Sequence, residues 1–278
     1  MKLIECPRDA MQGLAHFVPT DLKIRYLNAL LRVGFDTLDF GSFVSAKAVP
    51  QMRDTPELLA GLDLSQTPTK LLAIVANVRG AEQAISYPEI AYLGFPLSVS
   101  ETFQLRNTNK TIAQAFEEVA QMQALCAEAD KSLVVYLSMG FGNPYGDVYS
   151  PELVADFTQK LIGLGVGIIA PSDTVGTSTP DGIEALFTHL IRQFPGVEFG
   201  AHLHGRPGEA PAKVQAALRA GVSRIDGALR GFGGCPMADD HLTGNLPTEE
   251  IMELLGDRVT LNEAAFREAM LISNEVFG

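Results

Sequence analysis

Residues 197–204 read Val-Glu-Phe-Gly-Ala-His-Leu-His, an apolar run that ends in two histidines separated by one residue. The apolar part is typical of a buried β-strand, and alternate residues of a strand project from the same face. His202 and His204 can therefore face one side of the strand end and bind the same metal ion. This pattern favours a metal-dependent enzyme over a passive binding module, with its chemistry at a strand end.

Other short apolar, β-branched runs recur along the chain, and each is followed by a longer segment of helical character. Eight such strand-then-helix units in about 250 residues match the number and length of a (β/α)8 TIM barrel, an α/β fold. The strands are predicted at 2–6, 35–40, 70–76, 90–95, 132–138, 166–170, 197–202 and 222–227. The clearest helices are predicted at 20–33, 111–129, 151–164, 180–194, 207–220 and 248–255.

A doubly wound open sheet is the competing α/β architecture. The first predicted strand is not followed by a Gly-x-Gly-x-x-Gly turn, and the chain contains no Walker loop. These phosphate-binding signatures are frequent in open sheets, so their absence from the sequence favours the barrel. Because the composition shows no linker-like shift, we expect a single TIM-barrel catalytic domain over residues 1–278.

The overall charge is acidic, with 33 Asp and Glu against 21 Lys and Arg and a net charge of −12. Nucleic-acid surfaces need clustered basic residues, so we expect no nucleic-acid partner. No apolar stretch reaches the roughly 20 residues of a membrane span, and the chain starts with a strand-like segment rather than a signal peptide. We therefore expect a soluble, cytoplasmic protein with no membrane partner, in which Cys6, Cys126 and Cys235 are reduced thiols.

Polar and titratable residues are concentrated after the predicted strands. In a parallel barrel the loops that follow the strands share one rim, so residues far apart in sequence converge there. The residues at these positions are Arg8, Asp9, Gln12, Asp39, Ser42, Asn77, Ser100, Glu101, Ser138, Asn143, Asp173, Thr174, His202, His204, Cys235 and Asn245. This distribution predicts an active site at the C-terminal rim of the barrel.

The nitrogen and oxygen donors at this rim suit a divalent cation. Two histidines with Asp9 and Asn245 favour Mg²⁺ or Mn²⁺ over a thiolate-rich structural zinc site, and they leave coordination positions open for a substrate. The alternative is a pair of rim histidines that bind no metal. Arg8, beside Asp9, is either an ion-pair partner or a cation that stabilises a developing enolate or carboxylate. Cys235, between glycines and Pro236, is either a structural thiol or an acid/base group on a mobile loop.

Motifs in the predicted loops follow one another in order over nearly the whole chain. They are Cys6-Pro-Arg-Asp-Ala-Met-Gln12, Gly41-Ser-Phe-Val-Ser-Ala-Lys-Ala-Val-Pro-Gln-Met52, Ser100-Glu-Thr-Phe103, Ser172-Asp-Thr-Val-Gly176, His202-Leu-His204, and Gly231-Phe-Gly-Gly-Cys-Pro236 with Gly244-Asn245. Together they resemble the 3-hydroxy-3-methylglutaryl-CoA (HMG-CoA) lyase family of the DRE-TIM metallolyase superfamily. The second and last segments are specific to the lyase branch of that superfamily.

The resemblance implies a retro-Claisen cleavage of an acyl-CoA, a small-molecule substrate, to acetyl-CoA and acetoacetate. It implies that a divalent cation, Mg²⁺ or Mn²⁺, is bound by Asp9, His202, His204 and Asn245. The implied catalytic residues are Arg8, Cys235, Asp39 and Asp173, and Glu249 stands where the family has a further active-site carboxylate. The candidates for contacts to the CoA part are Lys47, Asn77, Gln12 and Glu249. A homodimer is an expectation by analogy with related barrels.

The chain also departs from the family pattern. Residues 205–208 read Gly-Arg-Pro-Gly, where the family usually has an Asp and a Tyr-Gly pair, so a carboxylate that would support the metal site is absent. Ala10 and Met11 replace a usual Gly-Leu, and Asn143 stands where a Cys is often found. Two alternatives therefore stay open: another DRE-TIM aldolase or Claisen-type synthase for 2-oxo or hydroxy acids, and a catalytically inactive metal-binding barrel.

Overall fold

A computed structural model describes residues 1–234 and 243–278 of the chain. The strands of this part are β1 (Lys2–Glu5), β2 (Thr37–Ser42), β3 (Lys70–Ile74), β4 (Ile90–Ser98), β5 (Ser132–Ser138), β6 (Ile168–Pro171), β7 (Glu198–His202), β8 (His204–Gly205), β9 (Arg224–Gly227) and β10 (Gly244–Asn245). Strands β1 to β7 and β9 are parallel neighbours in sequence order, and β9 pairs with β1 to close a barrel. The predicted TIM barrel is confirmed.

Helices follow the strands as the alternating pattern predicts. They are α1 (Pro7–Gln12), α2 (Thr20–Val33), α3 (Thr55–Ala60), α4 (Val78–Ile85), α5 (Glu101–Thr108), α6 (Ile112–Glu128), α7 (Pro151–Gly163), α8 (Pro180–Gln193), α9 (Ala210–Ala220), α10 (Thr248–Leu255) and α11 (Glu263–Phe277). Across residues 1–234 and 243–278, no helix combines the length and the apolar character that crossing a membrane would need.

Helix α6 illustrates how local sequence sets an element. Thr111 accepts a hydrogen bond from the Gln114 backbone N–H, and the Gln114 side chain accepts one from the Thr111 N–H, which forms a capping box at the helix start. Ala115, Val119 and Met122 are fully buried at spacings of three and four residues. These residues form an apolar stripe that packs in the core between the helices and the barrel.

Most predicted elements end or begin one to three residues from the observed bounds, and two of the differences have a clear local cause. The second strand covers Thr37–Ser42 rather than 35–40, because Gly34 takes a left-handed conformation (φ +87°) that ends α2, and Phe35 then packs in the core before the strand begins. Helix α9 starts at Ala210 rather than 207. Gly208 has φ +87°, and the Glu209 carboxylate accepts the Arg206 N–H, so this segment forms a turn before the helix.

The barrel interior has an apolar side and a charged side. The apolar side lies along β3 to β6 and consists of Leu72, Ile74, Tyr92, Val134, Tyr136, Ile168 and Ala170. On β7 and β9, the alternate residues Phe199 and Ile225 pack in the outer core. Their neighbours Glu198, Arg224 and Asp226 therefore face the interior. This asymmetry places charged groups directly below the end of β7.

Candidate active site

The histidines of residues 197–204 belong to two strands. His202 ends β7 inside the barrel sheet, whereas His204 begins the short strand β8. Asp9 lies in α1, the helical turn that follows β1. One oxygen of the Asp9 carboxylate and one ring nitrogen of each histidine lie within 4.8 Å of one another. Three potential ligand atoms at this separation are close enough to bind a single divalent ion.

Hydrogen bonds on the far side of each imidazole orient the two rings. His202 Nδ1 lies 3.1 Å from Asp226 Oδ2, and His204 Nδ1 lies 3.2 Å from the carbonyl oxygen of Thr174. Both partners accept hydrogen bonds, so a neutral ring at either position carries its proton on Nδ1 and keeps a lone pair on Nε2. The two Nε2 atoms are 3.2 Å apart. Two lone pairs that face each other at this distance repel unless a proton or a cation lies between them, and the nitrogen donors fit a metal ion.

Protonation states at the site also suit metal binding. Burial raises the pKa of Asp9, but the charges of Arg8 and the two histidines lower it by more, so the pKa falls from 3.8 to about 2. Burial and the neighbouring His202 lower the pKa of His204 to about 4. Burial lowers the pKa of His202, but the hydrogen bond and the charge of Asp226 outweigh this and raise it overall. Asp9 is thus a carboxylate and His204 a neutral imidazole at neutral pH, the forms that bind cations.

Asn245 joins the site through the small β8–β10 sheet. Antiparallel pairing sets Asn245 directly opposite His204. The Asn245 amide donates to Asp9 Oδ2 at 2.6 Å and to the carbonyl oxygen of Phe232 at 3.0 Å. The structure therefore brings all four predicted metal-binding residues to one place, although they span 236 residues of sequence between Asp9 and Asn245.

Arg8 is held rigidly at the centre of the rim. Its Nε donates to Asp39 at 3.0 Å, and its Nη1 donates to Asp9 and to Gln12, each at 2.9 Å. Burial lowers the pKa of Arg8, but Asp39 and Asp9 raise it more, so the guanidinium stays charged. Burial raises the pKa of Asp39 to about 6, although Arg8 opposes this shift. Arg8 therefore forms ion pairs and also lines the cavity, and its catalytic role stays a prediction.

A cavity opens above these residues between the strand ends. Arg8, Asp9, Gln12, His202 and His204 form its polar floor. Its walls are apolar side chains and small hydroxyl groups of the surrounding loops, namely Val44, Val49, Ile74, Phe103, Tyr136, Ser138, Ser172 and Thr174. A ligand in this cavity would meet the metal-binding atoms and the Arg8 guanidinium together.

Three other predicted residues lie apart from this cavity. The Asp173 carboxylate accepts hydrogen bonds from the Lys213 ammonium at 3.0 Å and from the Ser178 hydroxyl, and it supports the site from behind. Glu249 Oε2 accepts the Arg230 N–H at 3.0 Å. Asn143 accepts two backbone N–H bonds within its own loop, residues 143–147.

The remaining predicted residues lie on the rim or outside the described part. Asn77 caps α4 by accepting the Gly80 N–H at 2.8 Å, and it lines a groove beside the main cavity. Lys47 is exposed on the loop after β2. Cys235 belongs to residues 235–242 and lies outside the described residues.

Asp226 and Lys213 are site residues that the sequence analysis missed. Asp226 binds His202, and Lys213, only 3% exposed, binds both Asp173 and the carbonyl oxygen of His204. Asp226 and Arg224 stand two residues apart in a predicted strand, so they share a face. Two charges on one face of a buried strand were the signal that should have identified Asp226. Lys213 gives no comparable signal, because its helix position looks like a solvated charge.

The family comparison agrees with this geometry. The HMGL-like family matches residues 3–276 of the chain. The chain belongs to the HMGL-like family. Mitochondrial hydroxymethylglutaryl-CoA lyase of Mus musculus is 33% identical over 258 residues, which cover 92% of this chain and 78% of the mouse protein. Cytoplasmic 3-hydroxy-3-methylglutaryl-CoA lyase of Rattus norvegicus is 31% identical, covering 92% of this chain and 74% of the rat protein.

Solved structures agree with the sequence matches. HMG-CoA lyase of Pseudomonas aeruginosa superposes with a TM-score of 0.91 at 28% identity, covering 100% of this chain and 93% of that one. An HMG-CoA lyase of Acinetobacter baumannii, solved in complex with coenzyme A and 3-methylmalate, has a TM-score of 0.90 at 28% identity, covering 99% of this chain and 90% of that chain. The predictions of family, barrel and HMG-CoA lyase-like enzyme are confirmed for this HMGL-like protein.

Proposed function

We propose that this HMGL-like protein is a divalent-metal-dependent lyase that cleaves HMG-CoA, or a related 3-hydroxyacyl-CoA, by retro-Claisen chemistry. The observation that carries the proposal is the convergence of Asp9, His202 and His204 beside the Arg8 guanidinium. Family membership supports the substrate class, because the relatives described above are HMG-CoA lyases. With HMG-CoA as substrate the products are acetyl-CoA and acetoacetate.

Four side chains would bind the cation, namely Asp9, His202, His204 and Asn245. Mg²⁺ or Mn²⁺ held by these residues would supply Lewis-acid polarisation of the substrate oxygens. The hydrogen bonds that the imidazoles donate to Asp226 and to the Thr174 carbonyl oxygen would hold their Nε2 lone pairs toward the position of the cation before any ligand arrives. Preorientation of this kind removes the cost of rotating the rings on binding.

The proposed reaction breaks one carbon–carbon bond and involves two proton transfers. A base of the site takes the 3-hydroxyl proton, the bond between C2 and C3 breaks, and C3 becomes the ketone carbon of acetoacetate. The electron pair of the broken bond passes into the thioester as an enolate, and C2 then accepts a proton to form the acetyl group. Arg8 stabilises the negative enolate oxygen, since its contacts to Asp39, Asp9 and Gln12 fix it at the cavity floor. Cys235 is the proposed proton donor to C2, with water as the alternative.

The CoA part of the substrate would lie along the rim. Gln12 lines the main cavity, Asn77 lines the adjacent groove, and Lys47 is exposed on the loop between them, so we keep these residues as proposed contacts. Glu249 instead holds the Arg230 backbone and is a proposed support of the loop before Cys235. Asp39 and Asp173 are proposed to act through Arg8 and Lys213, which they bind. A cytoplasmic location and a homodimer belong to the proposal as well.

The test is a turnover assay on the purified chain. With Mn²⁺ or Mg²⁺ we expect release of acetoacetate from HMG-CoA, and we expect a chelator to abolish it. His204→Ala should lose turnover and bound metal together, whereas the exposed surface variant His189→Ala should keep both. Comparison of the two variants separates the specific role of His204 from the general effect of removing a histidine side chain.

The same assay separates the alternatives. Cleavage of another hydroxyacyl-CoA with HMG-CoA left intact would correct the substrate and keep the chemistry. Turnover of 2-oxo or hydroxy acids alone would identify an aldolase or synthase. A protein that binds Mn²⁺ but turns over none of these compounds would be the inactive metal-binding barrel.

A further inference from the structure

A group of buried charges lies inside the barrel, one layer below the candidate metal site. Arg224 and Asp226 on β9 are each 1% exposed, and Glu198 on β7 lies near Arg224, with 3.6 Å between the Arg224 Nη1 and a carboxylate oxygen. Burial of charge costs free energy unless the charges compensate one another. On its other side the same interior is filled by apolar side chains, so this barrel can be packed without charged residues. The charges therefore need an explanation other than filling space.

A glycine on the neighbouring strand makes room for Arg224. Gly200 stands opposite Arg224 in the β7–β9 pairing. A Cβ added at Gly200 would lie 2.7 Å from Arg224 Cγ and 2.9 Å from its Cδ. Both separations are well below ordinary contact distance, so even alanine at this position would displace the arginine chain. A glycine on β7 and an arginine on β9 thus fit together and hold the Arg224 side chain inside the barrel.

The charges continue from Arg224 to the candidate metal-binding imidazole. Arg224 Nε lies 3.9 Å from Asp226 Oδ1, and the other oxygen of this carboxylate lies 3.1 Å from His202 Nδ1. The Tyr136 ring packs edge-on against His202, with ring centroids 5.4 Å apart. Within residues 1–234 and 243–278, Arg224 Nε, Asp226 Oδ1 and Tyr136 Oη have no hydrogen-bond partner. A separation of 3.9 Å between charged atoms suits a bridging water.

We propose that Asp226, compensated in charge by Arg224, is a positioning residue that fixes the orientation and the tautomer of His202. This inference rests on the proposed function, in which His202 binds the cation through Nε2. The Asp226 carboxylate accepts the Nδ1 proton and so keeps the Nε2 lone pair directed at Asp9 and His204. Arg224 keeps the carboxylate in place by balancing its charge in the buried interior, and Gly200 leaves room for Arg224.

A second group of potential ligands includes the same imidazole. A Cys6 sulfur, a His202 ring nitrogen and an Asp226 oxygen also lie within 4.8 Å of one another. Burial raises the pKa of the Cys6 thiol well above its ordinary value, and the nearby carboxylates raise it further, so the thiol stays protonated. Asp226 Oδ2 already accepts the Nδ1 proton of a neutral His202, so the positioning role accounts for the contact between these two residues.

Two variants test the proposal on the full chain, with Mn²⁺ as the probe. Asp226→Asn should weaken Mn²⁺ binding by about 10- to 100-fold in calorimetry, since the loss of such a supporting partner has this typical effect. Nitrogen NMR of the metal-free protein should show His202 shifting toward the tautomer protonated on Nε2, because an amide N–H can face Nδ1. Gly200→Ala should weaken Mn²⁺ binding several-fold without altering any charge, because it displaces Arg224.

Further variants separate positioning from stability. Arg224→Lys keeps a cation and should retain Mn²⁺ affinity better than Arg224→Met. Lys23→Met is the matched control, because Lys23 is also a buried cation, paired with Asp54 at 2.8 Å, but it contacts no rim histidine among the described residues. It should lower the unfolding temperature and leave the Mn²⁺ affinity and the His202 tautomer unchanged.

Each result has a defined meaning. A wild-type chain that binds no Mn²⁺ contradicts the proposed function itself. Wild-type binding together with an unchanged affinity and tautomer in Asp226→Asn overturns the positioning role and leaves the metal site standing. An equal loss of affinity in Lys23→Met would also overturn it, since the effect would then follow stability. If Asp226→Asn does not fold, Gly200→Ala and Arg224→Met decide the matter by the same measurements.

Discussion

At the scale of single residues, burial and neighbouring charge select the protonation states. Asp9 and Asp39 both accept hydrogen bonds from Arg8, yet the pKa of Asp9 is about 2 and that of Asp39 is about 6. Burial raises both pKa values, but Asp9 also faces two imidazoles, whereas Asp39 faces the carboxylates of Asp9 and Asp226. Arg8 therefore contacts one carboxylate that is fully ionised at neutral pH, Asp9, and one whose pKa lies about one unit below neutral pH, Asp39.

Glu5 predicts a pH dependence of stability. It is fully buried and accepts hydrogen bonds from Thr248 and from the Leu229 N–H, and burial raises its pKa from 4.5 to about 8. Between these values the folded chain holds a proton that the unfolded chain has lost. The stability that the neutral acid contributes is therefore complete below pH 4.5 and declines as pH rises to about 8, by about 1.4 kcal/mol per pH unit.

We expect Glu5→Gln to remove this decline, because an amide keeps the shape of the neutral acid and cannot ionise. Thermal unfolding of both chains from pH 4.5 to pH 9 checks the expectation. The variant should gain most over wild type above pH 8 and nothing near pH 4.5. A constant difference between the two curves across this range would mean that Glu5 does not titrate in the folded chain.

Cys235→Ala tests the proposed proton donor. Because the thiol is not among the proposed metal ligands, we expect turnover of HMG-CoA to fall by at least about 100-fold, a typical contribution of general acid catalysis, while Mn²⁺ affinity changes little. Initial rates and calorimetry on the same preparation measure both effects. Cys126→Ala, which removes a buried thiol from α6, is the control. Full activity in Cys235→Ala would assign the protonation of C2 to water.

At the scale of elements, the β8–β10 sheet and the loop before it complete the site. The strand pairing sets Asn245 opposite His204, and the loop passes close behind at Gly233. Gly233 has φ +104°, and an added Cβ would lie 2.5 Å from Asn245 Nδ2 and 2.9 Å from the Asp9 carbonyl oxygen. Only glycine combines this backbone angle with such close approach.

We therefore expect Gly233→Ala to displace Asn245 and to weaken Mn²⁺ binding at least several-fold, as measured by calorimetry. Gly167→Ala is the matched control, because a Cβ there meets no atom within 4 Å. The control should bind Mn²⁺ as wild type does. Unchanged binding in Gly233→Ala would show that the Asn245 amide contributes little to the metal site.

At the scale of the whole molecule, the site joins distant parts of the chain. Asp9 follows the first strand of the barrel, and Asn245 lies after the last one, where β9 pairs with β1. An unfolded chain does not hold these ligands together, so an ion that binds the folded state stabilises the whole barrel.

Added Mn²⁺ should therefore raise the unfolding temperature. At a concentration of about 100 times Kd the gain in free energy of unfolding is about 2.7 kcal/mol. Scanning calorimetry with and without the ion measures this gain in wild type and in the double variant Asp9→Asn/His204→Ala, which should show none. An equal rise in the double variant would indicate that the ion binds elsewhere.

The barrel and most of the proposed metal-binding set were predictable from sequence because both depend on local patterns. Apolar runs alternating with helical segments determine a parallel barrel, and parallel strands deliver the residues after them to one rim. His202 and His204 follow from that rule directly, since each stands at a strand end in the printed sequence.

Tertiary structure alone decided which polar side chains serve the site directly. Asp173, Glu249 and Asn143 satisfy the same rim rule, yet their contacts turn them toward Lys213, Arg230 and their own loop. Asp226 contacts His202 inside the barrel, with Arg224 beside it. Arg224 fits there because Gly200 has no side chain. The direction of a buried charged side chain depends on partners supplied by other strands and loops. Sequence periodicity describes which face a residue occupies, but only the closed barrel brings the compensating charges within reach.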